Sequence, residues 1–343
     1  MVGSPTLTTV GTSRRRRALG LVAALAALAV AVILSILVGS KPLSVDELVH
    51  ALTAPTGTTT DLIIADLRLP RTIAGLVVGA ALGVAGAVVQ ALTRNPLGDP
   101  GLLGVNAGAA LFVALSVALV GAALPAQYLW FAFVGALVAT VVVYLIGSSG
   151  RGAADPVRLT LAGVAVAAVL TGITTGMTLL DPVTFNVLRG WNAGSFVERG
   201  LDVVLPAVPF IVIGLVLAVV CARSLNTLGL GDDLATALGA PIRATRTLSV
   251  VAITLLAGGA TAIAGPIAFI GLMVPHVARW IVGPDQRWIF PYSAIIAPTI
   301  LLVSDVIGRI ILWPSEVPVG VVTAFVGAPV LIILVRRAKA STL

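Results

Sequence analysis

Apolar runs of about 17 to 25 residues, the length a helix needs to cross a bilayer, recur along this chain between short stretches of Gly, Pro and charge. Ten are legible, at approximately 18–38, 69–92, 101–121, 128–147, 157–179, 201–222, 247–264, 267–282, 289–308 and 319–335. All ten are expected to be helical. The pattern therefore predicts an all-α, polytopic membrane protein with ten transmembrane helices, residues 18–335 forming one domain.

The ends of the chain bear on orientation. Residues 1–17 are basic and rich in Ser, Thr and Gly, and are expected to form a disordered cytoplasmic tail. The apolar run after Arg14 to Arg17 is longer than the roughly 7 to 15 residues of a signal-peptide core, so it is read as a retained first span. With that cluster inside, an even number of spans returns residues 336–343, a second tail carrying Arg336, Arg337 and Lys339, to the same side. The inside set then also holds Arg94, Arg151, Arg158, Arg223, Arg243, Arg246, Arg279 and Arg287, which makes 15 of the 21 basic residues. This is the asymmetry of the positive-inside rule. It predicts a multi-pass protein of the cytoplasmic (inner) membrane with both termini in the cytoplasm. Lys41, Arg68, Arg71, Arg189, Arg199 and Arg309 are left on the outside.

Composition agrees with a bilayer. Of 343 residues, 58% are hydrophobic and 10% charged, with a mean hydropathy of +1.11, whereas a soluble domain carries roughly 25% charged residues. The net charge of +7 lies in loop clusters and does not form a nucleic-acid footprint. Cys221, the single cysteine, cannot form an internal disulfide and is expected to be a small apolar helix residue.

Few chemical groups lie within the spans. Gly75, Gly79 and Gly83 recur at four-residue spacing, with Ala87 continuing the row, so one face of the second span allows close helix packing; whether that helix also lines a path stays open. Asn95-Pro96-Leu97-Gly98-Asp99-Pro100-Gly101 breaks the helix at its inner end, either as a plain turn or as backbone lining a cavity. The 14 acidic residues fall near span ends, so no span is expected to bury a carboxylate, Asp305 coming nearest. His276, beside Pro275, is read as a packed residue. No metalloprotease or serine-hydrolase signature is present, and two histidines with one cysteine form no familiar metal cluster. No catalytic residue, metal or cofactor is expected. The only lysines, Lys41 and Lys339, sit in no phosphate-cradling motif, so any ATPase must be a separate subunit.

The longest cytoplasmic segment, 223–246, places Leu230, Leu234 and Leu238 on one helical face. Such a helix must lie on the bilayer or dock into a partner. Asp232 and Asp233 at its start disfavour anionic lipid.

Three blocks of sequence resemble one known family. Arg68-Leu69-Pro70-Arg71-Thr72 runs through the small-residue span to Asn95-Pro96-Leu97-Gly98-Asp99-Pro100-Gly101-Leu102-Leu103-Gly104. The second is Gly265 to His276, and the third runs from Ser304-Asp305-Val306-Ile307-Gly308-Arg309 to Pro329. In this order they are similar to the FecCD/BtuC-type permeases, the membrane subunits of ATP-binding-cassette importers for ferric siderophores, haem and cobalamin. The resemblance covers nearly all of the chain after residue 40. It implies a homodimer or paired permease, cytoplasmic ATP-binding subunits, and an extracytoplasmic substrate-binding protein or lipoprotein. It further implies docking of that protein on Arg68, Arg71 and Arg309, the alternative being snorkelling arginines at the interface. Asn95 and Leu97 match positions that narrow the path at its inner end. Leu228, Leu230, Gly231, Asp232, Asp233, Leu234, Leu238 and Gly239 resemble the family's ATPase-coupling segment. Around Asp155 to Thr160 and Phe185 to Ser195 no correspondence is drawn. The competing expectation is an ion-coupled secondary carrier working alone, disfavoured by the lack of intramembrane carboxylates.

Overall fold

The computed structural model describes residues 14–39, 41–149 and 156–340. Residues 1–13, Arg151, Asp155, residues 341–343 and the side chains of Arg336, Arg337 and Lys339 lie outside the described residues, and with them most of both expected tails. Helices dominate, and no strand occurs among the described residues.

In chain order the α-helices are α1 (Arg14–Leu37), α2 (Val45–Thr53), α3 (Thr59–Leu62), α4 (Leu69–Thr93), α5 (Val105–Val120), α6 (Pro125–Ser148), α7 (Pro156–Leu180), α8 (Pro182–Asn192), α9 (Leu201–Val204), α10 (Val208–Leu228), α11 (Asp232–Ala237), α12 (Ile242–Ala264), α13 (Ile270–Val282), α14 (Gln286–Ile311) and α15 (Val319–Ala340). A π-helical segment, Ile63–Arg68, joins α3 to α4 without a break, so one helical rod runs from Thr59 to Thr93. Seven helical stretches are long and apolar enough to cross a membrane, and α5, α13 and Val319–Ile333 are shorter apolar helices. Each of the ten apolar runs read from the sequence coincides with one of these ten. The amphipathic α2 and α8 were not anticipated, being too short or too polar to register as spans, and α9 is the first turn of the run that begins at residue 201.

Helix α1 begins at Arg14, so Arg14 to Arg17 form its first turn instead of belonging to a tail. Two helices form the centre of the bundle. α4 and α12 each bury 78% of their apolar window, against 17% for α1 and 22% for α7 at the periphery. α4 can be central because one side of it has almost no side chains. A Cβ on Gly79 would sit 2.5 Å from the Pro298 Cα of α14, and one on Gly83 would sit 2.5 Å from the Ser293 carbonyl oxygen. Gly75 faces Leu302 of the same helix. Gly86, outside the four-residue row, makes the closest approach, its Cβ position lying 2.0 Å from the Gly271 carbonyl of α13. Without side chains in the way the backbones meet, which is how helices associate where lipid provides no hydrophobic drive.

α1 is peripheral yet fastened at both ends. At its start the Tyr292 hydroxyl donates to the Arg17 carbonyl at 2.5 Å, and the Arg17 guanidinium lies 5.7 Å from the centre of the Trp288 ring. At its other end Ser35 hydrogen-bonds Thr72 of α4 at 2.8 Å. Cys221 is buried in α10, and the His276 ring bonds the Leu272 carbonyl of its own helix through Nδ1, at 2.9 Å.

Candidate functional site

Two groups of polar residues sit at opposite ends of α4, and a third lines a cavity beside it. At the Arg68 end, three arginines converge that the sequence places in blocks more than 230 residues apart. Arg71 forks onto Asp305, Nη2 to Oδ1 at 2.7 Å and Nε to Oδ2 at 3.0 Å, and its Nη1 reaches Glu316 at 2.6 Å. Arg309, one turn beyond Asp305 on α14, takes the same carboxylate through Nε at 3.0 Å and donates to the Ser35 carbonyl of α1 at 2.6 Å and to the Val38 carbonyl just beyond that helix at 3.0 Å. Arg68 donates to the Ile36 carbonyl at 2.5 Å and to the Lys41 carbonyl.

Asp305 is 1% exposed, deep in a helix of spanning length. This corrects the expectation that no span buries a carboxylate. α14 continues past residue 308 to Ile311, which carries Asp305 more than one turn from the helix end. The charge is tolerated because two guanidiniums occupy both oxygens. The i,i+4 spacing of Asp305 and Arg309 was legible in the sequence, but the approach of Arg71 was not.

These residues form the floor of a cavity of about 320 Å³ that opens at the same end, lined also by Lys41, Asp66, Phe196, Glu198 and Arg199. Arg68 and Arg309 are buried, and Arg71 is 12% exposed. Their donors are largely spent on the protein itself.

At the Arg94 end, α4 stops in a left-handed residue, Arg94 (φ 50°). Asn95 follows and accepts the Leu97 amide on its own Oδ1 at 2.9 Å, a local turn that leaves Leu97 exposed. Asp99 caps a 3₁₀ segment, Pro100–Leu103, which leads into α5. Here too the chain folds back on itself: Asp232, the first residue of α11, is bonded by Arg94 and, at 2.8 Å, by the buried Arg246 of α12. Burial alone would raise the Asp232 carboxyl, but the Arg94 hydrogen bond and the charges of Arg246 and Arg94 outweigh it and hold the group below the ordinary carboxylate range.

α11 is shorter than the amphipathic helix the leucine spacing predicts. Gly231 (φ 110°) and Gly239 (φ 75°) bound it, and Leu228 belongs to the buried end of α10. Leu230, Leu234 and Leu238 are 61%, 51% and 63% exposed. Asp233 is exposed as well, and it is Asp232 that turns inward to the bundle.

The third group was missed in the sequence. Thr171, Thr174, Thr175 and Thr178 of α7, with Asn106 of α5 and Asn192 of α8, line a cavity of about 350 Å³. The Thr-rich run Leu170 to Thr178 carried the signal, but the partners that turn it into a wall come from separate parts of the chain.

Such a bundle, with long apolar helices outside, close-packed small residues inside and polar groups collected at its ends and along one cavity, is that of a multi-pass membrane protein. The sequence comparisons agree. The FecCD transport family model matches residues 27–337. Over 322 residues the chain is 50% identical to the ferric enterobactin transport system permease protein FepD of Escherichia coli (strain K12), covering 94% of this chain and 96% of that one. It is 41% identical over 306 residues to the Fe(3+)-citrate import system permease protein YfmD of Bacillus subtilis (strain 168), covering 89% and 91%. In fold it resembles a metal-chelate type ABC transporter solved in an inward-facing conformation, with a TM-score of 0.80 and 24% identity over 93% of this chain and 99% of that one. The chain belongs to the FecCD transport family.

Proposed function

We propose that this permease is the membrane-spanning subunit of an ATP-driven importer that carries a ferric siderophore into the cytoplasm. The observation that carries the proposal is the near end-to-end 50% identity to a ferric enterobactin permease. In this reading the ten apolar helices all span, the Arg68 end faces outside, and the Arg94 end and both termini face the cytoplasm. A soluble substrate-binding protein docks at the cavity floored by Arg68, Arg71 and Arg309, and its arrival is steered by charge. ATP-binding subunits grip α11 through Leu230, Leu234 and Leu238, whose exposure leaves an apolar row for a partner to cover. Closure of those subunits moves α11. Through Asp232 that motion is delivered to Arg94, next to Asn95 and Leu97, which narrow the inner mouth of the path. A second permease subunit supplies the other wall of the path against α7, where Gly172 and Gly176 have open space around them. The threonine-lined cavity beside α7 offers hydroxyls to a large polar chelate without charge that would trap it.

An ion-coupled carrier would need a carboxylate free to cycle; of the two buried among the described residues, Asp305 has both oxygens held by arginine and Asp61 accepts from the Thr56 and Thr58 amides at the start of its own helix. The test is uptake by a deletion strain and its complemented parent, offered radiolabelled iron on a panel of siderophores including enterobactin, and labelled haem and cobalamin. Loss of one ferric chelate on deletion is the expected result; unchanged uptake of every compound overturns the assignment.

A further inference from the structure

The first turns of α1 and α14 meet on the outside of the bundle. The last turn of α1 contacts Thr72, Arg68 and Arg309, so its first turn lies at the other end, the Arg94 end. Between the two first turns runs an open groove of about 570 Å³, lined by Arg17, Leu21, Arg287, Trp288 and Pro291. Its lining has two parts. Arg17 and Arg287 are charged, while Leu21 and Pro291, each one turn further into its helix, continue the groove as an apolar strip. Leu19, Val22 and Leu25, at neighbouring positions of α1, are exposed apolar residues, so the groove opens toward lipid.

Both arginines are held in place by the fold. The Tyr292 hydroxyl fixes α1 through the Arg17 carbonyl at 2.5 Å, an approach that Gly20 permits, since a Cβ there would lie 2.6 Å from that hydroxyl. The Arg17 guanidinium stands over the Trp288 ring. Arg287 is oriented by Asp285 at 2.9 Å, and Asp285 is also held by the Asn226 side-chain amide at 2.7 Å. The surrounding charge is one-sided. Arg15 and Arg16 are exposed beside Arg17. α1 and α13 contain no acidic residue, and the only one in α14, Asp305, is near its far end. Four arginines therefore surround a groove whose elements bring one carboxylate, Asp285.

We infer that this groove is a binding site for an anionic phospholipid, whose phosphate lies on Arg17 and Arg287 and whose acyl chain follows Leu21 and Pro291. A guanidinium matches a phosphodiester with two charge-assisted hydrogen bonds, and basic pockets between spanning helices are where anionic headgroups bind. A small soluble anion would use the arginines alone; the apolar strip directly beneath them fits a ligand that is both charged and greasy. Trp288, between the two arginines, is the residue type that sits at headgroup level. A lipid here would brace α1, which buries only 17% of its apolar window against the protein. The proposed topology places the site in the cytoplasmic leaflet, and only that placement rests on it.

The test titrates the full-length permease in non-ionic detergent with phosphatidylglycerol, or with phosphatidylcholine of the same acyl chains, and counts bound lipid by native mass spectrometry. The parent is expected to retain phosphatidylglycerol roughly tenfold or more tightly than phosphatidylcholine, and to gain thermal midpoint with it. Both effects should vanish in Arg17→Gln/Arg287→Gln and persist in Arg223→Gln/Arg243→Gln, which removes two exposed arginines elsewhere. The first pair leaves the fold its contacts, since Tyr292 bonds the Arg17 backbone and Asn226 still holds Asp285. Leu21→Trp keeps both arginines but fills the strip, and should also lose the preference, which separates a filled groove from a damaged charge cluster. Equal retention of the two lipids by the parent overturns the inference, as does loss of preference in the distant pair or an unchanged preference in Leu21→Trp. Displacement of phosphatidylglycerol by millimolar inorganic phosphate also overturns it, by making the groove a simple anion site. Binding in detergent does not depend on sidedness or on transport, so this inference and the importer reading can fail separately.

Discussion

The most consequential residue in the bundle is Asp305. A carboxylate 1% exposed, bonded by Arg71 and Arg309, links α4 to α14, and Arg309 extends the link to the end of α1. Removing one member of such a buried set leaves the others as unpaired charges. Asp305→Ala is therefore expected to destabilise the permease by about 3–5 kcal/mol, read as a lower thermal midpoint in detergent. A midpoint within experimental scatter of the parent would show that water satisfies the two arginines. The same geometry changes how charge reversal at Arg309 is interpreted. Glutamate there would face Asp305, so loss of uptake would report a damaged fold as much as lost docking. Arg71, reaching both Asp305 and the cavity, combines the two roles. A sequence reading can rank these arginines as outward-lying exceptions to the positive-inside bias, but burial and pairing are invisible to it.

At the scale of elements, α11 has six residues and two kinds of attachment. Leu234 and the flanking Leu230 and Leu238 are exposed, and its first residue is tied into the bundle by Arg94 and Arg246. The two are separable by mutation. Leu234→Glu should abolish co-purification of the ATP-binding subunits, since a charge would be placed in the apolar contact. Asp232→Asn should leave co-purification intact while lowering substrate transported per ATP hydrolysed in proteoliposomes; an unchanged ratio would remove Asp232 from the coupling route. The ion pairs are partly exposed and contribute on the order of 1 kcal/mol or less. Because the folded Asp232 carboxyl is held below its ordinary value, this contribution is complete above the ordinary carboxylate range, neutral pH included. It is lost as pH falls through the depressed value, so the difference between parent and Asp232→Asn should shrink in acid.

Element boundaries show where local pattern suffices. The α4 glycine row and the Asn95 to Pro100 break were legible because Gly and Pro act on the backbone directly. The π-helical Ile63–Arg68 was not, since it continues a helix with no change of composition. α8 was missed because its short apolar face becomes informative only against the neighbours that cover Leu188 and Trp191.

For the molecule as a whole, the proposal assigns opposite sides of the membrane to the two ends of α4. Single cysteines at the exposed Glu198 and Asp233, in a Cys221→Ser background, test this with a membrane-impermeant thiol reagent on intact spheroplasts. Glu198→Cys should label at once and Asp233→Cys only after the membrane is opened. The reverse pattern would invert the topology, and labelling of both from outside would remove a span between them.

The sequence by itself determined that the chain lives in lipid, that it is helical, where ten apolar helices lie, and which family it resembles. Those properties follow from hydropathy, run length, backbone-restricting residues and contiguous motifs, all local along the chain. Tertiary structure alone decided that Asp305 is buried between arginines of two helices, that Asp232 is bound to Arg94 and Arg246, and that Arg199 lines the same cavity as Arg68, Arg71 and Arg309. Each depends on side chains brought together from positions far apart in sequence. In a low-dielectric interior the meaning of a charge is set by what stands within hydrogen-bond distance of it, and no spacing along the chain records that.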